Sequence, residues 1–466
     1  MNVQLCWFRN DLRIGDNTAL WQALKQGSTL AIYIATPEQW RLHDDAPIKI
    51  DFWRRNLQQL QLQLENLNIP LLFFQVPYYR DIPALMQEII SSWNIAALHC
   101  NTEYPLNEVK RDDAIEHICR EMGVKFFAYE DQCLLAPDLT LKADGQPFKV
   151  FTPFANKART LLLSPASRQK NRNLSITNSE QFMNKLHRLT KQVRLDDIEW
   201  PQAESWWQKL WPAGESEAAR RLRHFLNRKV KDYKQHRDIP SVEGTSALSA
   251  YLNSGIISVK TCWDKTDSLK AIDAVHTWRT ELLWRDFYKY VMHHYPHVSK
   301  NQAWNSRYKD IPWRQDHTDF QAWANGETGF PLIDAAMRQL KQTGWMHNRL
   351  RMLVAMFLSK NLLIDWRWGE RWFMQHLIDG DFSANNGGWQ WSASTGTDAA
   401  PYFRIFNPIR QSERFDPDGV FIKSYIPELK AETAKTIHDP GKLRSDYVKP
   451  IIDLRFSRER ALAVFR

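Results

Sequence analysis

Over the first 130 residues, short apolar runs alternate with segments of helical period. The runs at Val3 to Phe8, Leu30 to Ala35, Pro70 to Val76, Ala96 to Asn101 and Val124 to Tyr129 are apolar throughout, the pattern of strands buried on both faces. Between them Asn17 to Gln26, Ile48 to Leu67, Ile82 to Trp93 and Leu106 to Met122 read as helices, the last stopped by Gly123. This alternation predicts an α/β domain over residues 1–131 with a five-stranded, parallel, doubly wound sheet. No Gly-x-Gly-x-x-Gly follows the first strand, so a dinucleotide is not expected at the usual place on that sheet. The charges of Trp7-Phe8-Arg9-Asn10-Asp11-Leu12-Arg13 fall at the strand's carboxyl edge, where they read equally as a contact site or as an ion-paired loop.

From Gln132 to Asp196 the pattern decays, and Ser164 to Glu180 is rich in Ser, Asn, Arg and Lys, which predicts a long surface connection. Beyond Asp197 strand signals nearly vanish. Helices are predicted near Glu217 to Lys231, Ala247 to Ser254, Ala271 to His294, Pro331 to Thr343, Met346 to Lys360, Trp368 to Leu377 and Pro427 to Ala434. Residues 197–466 therefore read as an all-α domain.

With 466 residues and 43% hydrophobic side chains, the chain can bury sizeable cores. Its 62 basic against 53 acidic residues leave +9, a balance that makes a nucleic-acid partner a fair expectation. Cys6, Cys100, Cys119, Cys133 and Cys262 are scattered without metal-ligand spacing, which points to reduced thiols and no zinc site. Neither a signal peptide nor a membrane-spanning run is apparent, so a cytoplasmic location is expected, with no membrane partner. The unusual number is 21 tryptophans, eleven of them between Trp278 and Trp391, which concentrates the chemistry in the second half.

Three segments there could hold a flat, polar guest. Asp379 to Trp391 combines two acids, an Asn pair, a Gly pair and two indoles, with almost no aliphatic side chains. A glycine and three hydroxyls in Gly244-Thr245-Ser246-Ala247-Leu248-Ser249 open a short helix, as an anion cradle would or an ordinary N-cap, with Tyr233, Arg237 and Asp238 just upstream. Trp278, Glu281, Trp284, Arg285 and Tyr288 share one face of the helix begun at Ala271, while Leu282, Leu283, Phe287, Tyr290 and Val291 supply the core side. A further stripe carries Asn348, Arg351 and Ala355 toward a crowded interior, so the first two need partners, for which Asp379 and Asp381 are available.

Gly-Thr-Ser-Ala-Leu-Ser at 244–249, Trp-Arg-Thr-Glu-Leu-Leu-Trp-Arg-Asp-Phe-Tyr at 278–288, Thr-Gly-Trp-Met-His-Asn-Arg-Leu-Arg-Met at 343–352 and the stretch from Asp379 to Ala399 together resemble the photolyase and cryptochrome family, and within it the bacterial class I cyclobutane pyrimidine dimer photolyases. The N-terminal Trp-Phe-Arg-Asn-Asp-Leu-Arg is similar to the same family pattern. The resemblance implies a reduced FAD folded inside the helical domain, which donates an electron under blue light to a pyrimidine dimer flipped out of double-stranded or single-stranded DNA.

Carried over by position, Tyr233, Thr245, Ser246, Ala247, Leu248, Ser249, Trp278, Asp379, Gly380 and Asp381 are expected to contact the flavin. Asn385 would face its N5 atom without supplying a proton, and Arg351 would pair with Asp379 beside the ring. Glu281, Trp284, Met346, Asn348 and Trp391 would contact the dimer, with Arg237, Arg285, Tyr288, Arg349 and Arg410 around the opening. Trp389, Trp366 and Trp313 match a relay that reduces the flavin. An antenna, 5,10-methenyltetrahydrofolate or alternatively a deazaflavin, is expected at Asn107, Glu108 and Lys300, with Ser299 standing where relatives are expected to carry cysteine. A monomer is expected. The alternatives are a cryptochrome-type photoreceptor, against which Asn385, Glu281 and Trp284 speak, and a (6-4) photolyase, which needs a histidine pair where this chain has His347 followed by Asn348.

Overall fold

The structure, a computed structural model, describes residues 3–163, 178, 189, 191–269, 272–443 and 446–466. Five parallel strands, β1 (Val3–Phe8), β2 (Thr29–Ala35), β3 (Leu71–Gln75), β4 (Ile95–Asn101) and β5 (Lys125–Tyr129), lie in the order β5-β4-β1-β2-β3. Strand pleating divides their side chains between two cores. Val3, Leu5 and Trp7 pack with α3 (Ile82–Trp93) and α4 (Leu106–Glu121). Cys6 and Phe8 pack with α1 (Thr18–Gln26) and α2 (Pro47–Glu65) on the other face. The sheet is doubly wound, as its apolar runs predict.

A sixth strand, β6 (Gln192–Val193), adds antiparallel to β3. Two residues carry no periodicity, so nothing in the sequence announces it. The predicted connection is also more structured than its composition suggests. It holds α5 (Phe151–Leu162), whose Phe151, Phe154, Ala155, Ala158 and Leu162 are buried at helical spacing. The polar stretch from Ser164 to Glu180 lies outside the described residues except for Asn178, whose Nδ2 donates to the carbonyls of Thr29 and Asn68.

The second half is helical around α6 (Glu215–Arg228), α7 (Asp273–His294), α8 (Pro331–Thr343), α9 (Asn348–Met356), α10 (Trp366–Met374) and α11 (Phe382–Ala393). Three predicted helices change. The one from Met346 to Lys360 starts only at Asn348, because His347 caps it by accepting from the Arg349 N–H, and it passes into a π-helical turn over Phe357–Asn361. Ala247 to Ser254 shrinks to Ser249–Asn253, since Ala247 adopts a left-handed φ of 50°. Pro427 to Ala434 is a single 3-10 turn, Pro427–Leu429, closed by bonds three residues apart.

One apolar core is confined to the C-terminal half. Another runs from β1 and α2 through Leu222, Trp278 and Phe287, so the two halves share a packed interior. All five cysteines are free and buried.

Candidate functional site

Helix α7 is central to the site. It packs against the Tyr233–His236 turn, α5 and α11, and its polar residues divide among those neighbours. On the first side, Glu281 Oε1 accepts from Arg237 Nη1 at 2.6 Å, with Tyr233 buried beneath the guanidinium. Gly244 packs on His236, and Thr245 and Ser246 are half-buried with hydroxyls that bond no described residue. Ser249, though exposed, accepts from Trp345 Nε1 at 3.2 Å. Trp278 is buried in the core against Phe225, while Leu248 is buried beside it in the same core.

Asp381 caps α11 by accepting from the Ala384 N–H at 3.0 Å, so the stretch from Asp379 opens a helix rather than remaining a loop. Its other oxygen lies 2.9 Å from Lys289 Nζ. Burial alone would raise this carboxyl, but the Lys289 ammonium and the Arg285 guanidinium hold it well below the usual carboxylate range. Asp379 takes two bonds from Arg351 Nη2, at 3.0 and 2.8 Å, while Arg351 Nε donates to the Met346 carbonyl. The pairing expected from residue types is therefore present, with one guanidinium nitrogen shared between both carboxylate oxygens.

On α11, Asn385 Nδ2 donates to the backbone carbonyl of Glu370 at 2.9 Å, and its Oδ1 bonds no described residue. The next residue, Asn386, donates to Glu370 Oε1 at 2.8 Å, and burial pushes the Glu370 carboxyl up to about 7. A second unused group is the His347 Nε2: its Nδ1 accepts from the Arg349 N–H, so Nε2 carries the proton, buried and without a partner. Burial lowers this ring to about 4, which keeps it neutral.

Trp284 stacks on Phe151, centroids 3.6 Å apart and planes 7° from parallel, with Tyr288 tilted beside it. A Cβ on Gly387 would lie 2.1 Å from the Tyr288 ring, so glycine there is what lets α11 and α7 approach. The same holds at Gly369, where a Cβ would lie 2.1 Å from the Trp389 ring. Trp389 thus sits over α10 one turn beyond Trp366, and both are fully buried. Arg314 bonds to Leu363 just before that helix and brings the half-exposed Trp313 alongside. Two of the three indoles are thus buried and the third half-exposed, and no two of them make direct ring contact.

Between the halves lies a cavity of about 550 Å³, walled by Asn107, Glu108, Lys49, Ser299, Glu370 and Asp381 among others. Asn107 and Glu108 enter it from the first turn of α4, and burial raises the Glu108 carboxyl. Gly380 lines it too, and its carbonyl accepts from Lys49 Nζ at 2.7 Å.

Two family models match the chain: DNA photolyase over residues 4–171 and FAD binding domain of DNA photolyase over residues 278–466. Among curated relatives, the deoxyribodipyrimidine photo-lyases of Vibrio cholerae and Salmonella typhimurium are 41% and 40% identical, each aligned over 100% of this chain and 99% and 98% of theirs. A class III photolyase structure from Agrobacterium tumefaciens superposes with a TM-score of 0.86 at 33% identity, over 100% of this chain and 97% of that one. The Synechocystis cryptochrome structure gives 0.84 at 28% identity, over 100% and 99%.

The chain belongs to the DNA photolyase family. Its α/β half and helical half match the solved photolyases, and its C-terminal half is an FAD-binding domain. The residues present fit that cofactor: an amide oxygen at Asn385, two hydroxyls at Thr245 and Ser246 and the N–H of His347 bond no partner among the described residues.

Several expected positions come out differently. Met346 is fully buried just ahead of α9, in the core of the C-terminal half. Asn348 is exposed rather than facing the interior. Arg285 points inward, donating to the Gln132 carbonyl at 2.6 Å, not outward to phosphates. Lys300 is exposed and absent from the cavity wall, which Ser299 lines instead. Arg349 pairs with Asp238 at 2.8 Å, Trp391 is half-buried, and Arg410 is exposed without an ion pair among the described residues.

Sequence reasoning missed Lys289, Glu370 and Phe151. Lys289 is four residues beyond Arg285 and eight beyond Glu281, a spacing that could have exposed it. Glu370 and Phe151 carry no local signal.

Proposed function

We propose that this protein repairs cyclobutane pyrimidine dimers in DNA, as a light-driven carbon–carbon lyase using reduced FAD. The observation that carries the reading is Asn385, whose NH₂ is tied to the Glu370 carbonyl so that its amide oxygen is left free to accept. An amide fixed this way can take a hydrogen bond from a reduced flavin without titrating near neutral pH. When bound, the FAD supplies the light absorption and the electron.

The protein's residues do the rest. Arg351, locked to Asp379, presents positive charge beside the ring edge, and Thr245 and Ser246 offer donors to the diphosphate. Glu281 would hydrogen-bond the flipped bases on exchanging Arg237 for them. Trp284, backed on one face by Phe151, would give the dimer a rigid stacking surface through the other. Trp391 would form the opposite wall, and Tyr288, Arg237, Arg349 and Arg410 would meet the DNA around the opening. Trp389, Trp366 and Trp313 would carry electrons inward to reduce the cofactor, apart from repair itself.

The cavity at Asn107 and Glu108 suits an antenna of the methenyltetrahydrofolate type, since an amide and a buried carboxyl at its wall can bond the polar edge of a pterin. The protein would act as a monomer in the cytoplasm on double-stranded and single-stranded DNA; no helix among the described residues is long and apolar enough to cross a membrane.

The test is repair of a defined thymine dimer in a short duplex by the reduced protein under blue light, beside a dark control and a duplex bearing a (6-4) photoproduct. Restoration of the dimer strand alone, and only in light, is expected. Absence of repair with flavin bound would refute the proposal in favour of a photoreceptor.

A further inference from the structure

Away from the flavin site, the last two residues of α7 face the connection between the halves. His293 Nε2 lies 3.2 Å from Asp138 Oδ1, and His294 Nε2 lies 3.9 Å from the same oxygen. One ligand atom from each of the three residues falls within 4.8 Å of the others, and Asp138 is brought there by the Pro137–Leu139 turn. No step of the proposed repair uses them.

The His294 ring decides how this cluster is read. Its Nε2 is buried, has no hydrogen-bond partner and faces Asp138 Oδ1 at 3.9 Å. That separation is too long for a hydrogen bond, so the nitrogen and the carboxylate oxygen face each other unbonded, an arrangement that a cation shared between them resolves.

We propose that His293, His294 and Asp138 bind one divalent first-row transition ion of the zinc type. Two nitrogens and a carboxylate oxygen are borderline donors suited to Zn²⁺ rather than to Mg²⁺ or Ca²⁺, which take oxygen shells. Tetrahedral bonds of about 2.0–2.1 Å place ligand atoms about 3.3–3.4 Å apart. The two His–Asp separations of 3.2 and 3.9 Å bracket that value and all three ligand atoms lie within 4.8 Å of one another, so side-chain rotations close the site. Water completes the shell, as the exposure of Asp138 allows. The negative end of the α7 dipole adds to the attraction. The ion would pin the connection to the helix that carries Glu281, Trp284 and Lys289, so its role is structural.

The experiment is titration of the metal-stripped, full-length protein with Co²⁺, reading visible d–d absorption, and with Zn²⁺ by calorimetry. The wild type should take up one equivalent that His294→Gln and Asp138→Asn lose or bind at least tenfold more weakly, with flavin content and circular dichroism unchanged. Saturating Zn²⁺ should raise the thermal midpoint of the wild type and not of Asp138→Asn. Equal stoichiometry and affinity in wild type and both variants would overturn the site. So would the absence of uptake by the wild type. Asp138 is exposed, so its variant should fold even if that of His294 does not.

Discussion

Glu370→Gln should change how stability depends on pH and little else. The Glu370 carboxyl is buried, accepts from Asn386 through Oε1, and is pushed by burial from an ordinary 4.5 up to about 7, against the attraction of Arg367 and Arg371 and with the repulsion of Asp365. Between those values the folded protein holds a proton that the unfolded chain has released. The native state then binds more protons than the unfolded state, so stability falls as pH rises, by about 1.4 kcal/mol per pH unit. Across the whole window this comes to about 3 kcal/mol, absent near pH 4.5 and complete above pH 7. Glutamine is isosteric and keeps an oxygen for Asn386 but has nothing to titrate. Urea unfolding of both proteins, followed by tryptophan fluorescence at pH 5 and pH 8, isolates the effect. Asp286 and Asp334, each raised to about 6 by burial, titrate in both proteins and cancel in the difference. The variant should gain about 2.5 kcal/mol over wild type between the two pH values, since the first half-unit of the window is already crossed at pH 5. A difference that stays flat from pH 5 to pH 8 would show that Glu370 is ionised in the fold and that the argument from burial fails.

Lys289→Met leaves Asp381 buried without its ammonium and should destabilise by about 3–5 kcal/mol with loss of bound flavin, most of the stability returning in Lys289→Met/Asp381→Asn; urea unfolding and flavin absorbance check both. Gly387→Ala drives a methyl to 2.1 Å from Tyr288, so α7 and α11 must part at a cost of about 1–3 kcal/mol, and affinity for dimer-containing DNA should fall in a gel-shift assay. Trp389→Phe should abolish photoreduction of the oxidised flavin, read by absorbance, while chemically reduced enzyme repairs nearly as before. Arg410→Ala should lower the slope of log affinity against log salt by about 0.9, because its exposed charge can meet a phosphate; Arg285→Ala should leave the slope unchanged, since that guanidinium is turned to Gln132.

The sheet was legible because its strands are short, mostly apolar and bounded by punctuation, even at the edge strand β5, which has no fully buried residue. Asn17 accepts from Leu20 at the start of α1, and Gly123 turns with φ 70° after α4. Periodicity failed where local composition pointed the wrong way. The α5 helix sits in a connection read as polar, yet five of its residues are buried, against α7 among others. Conversely the Pro427 segment has helix-forming residues but no helix, because its bonds close three residues back. Tertiary contact decided both cases, and a single chain's local pattern does not contain it.

At the site, the type of partner was legible but not its identity. Arg351 and Asp379 were expected together because an interior arginine must find a carboxylate, and they are. The stripe on α7 shows where such reasoning stops. Glu281, Arg285 and Lys289 are spaced by four, which reads as one face. At 100° per residue, however, eight residues turn the helix through 800°, leaving Lys289 about 80° from Glu281. Over a helix as long as α7 that drift is the width of a neighbour. Glu281 consequently meets Arg237 at the opening, Arg285 meets the connection at Gln132, and Lys289 meets Asp381 at the start of α11. The phosphate-binding role expected for Arg285 came from the family resemblance, and the structure turns that guanidinium to Gln132 instead. The same drift lets one helix bind the two halves together while it holds Trp284 against Phe151 and Glu281 against Arg237, so the residues that fix the fold and those that would serve repair alternate along a single element.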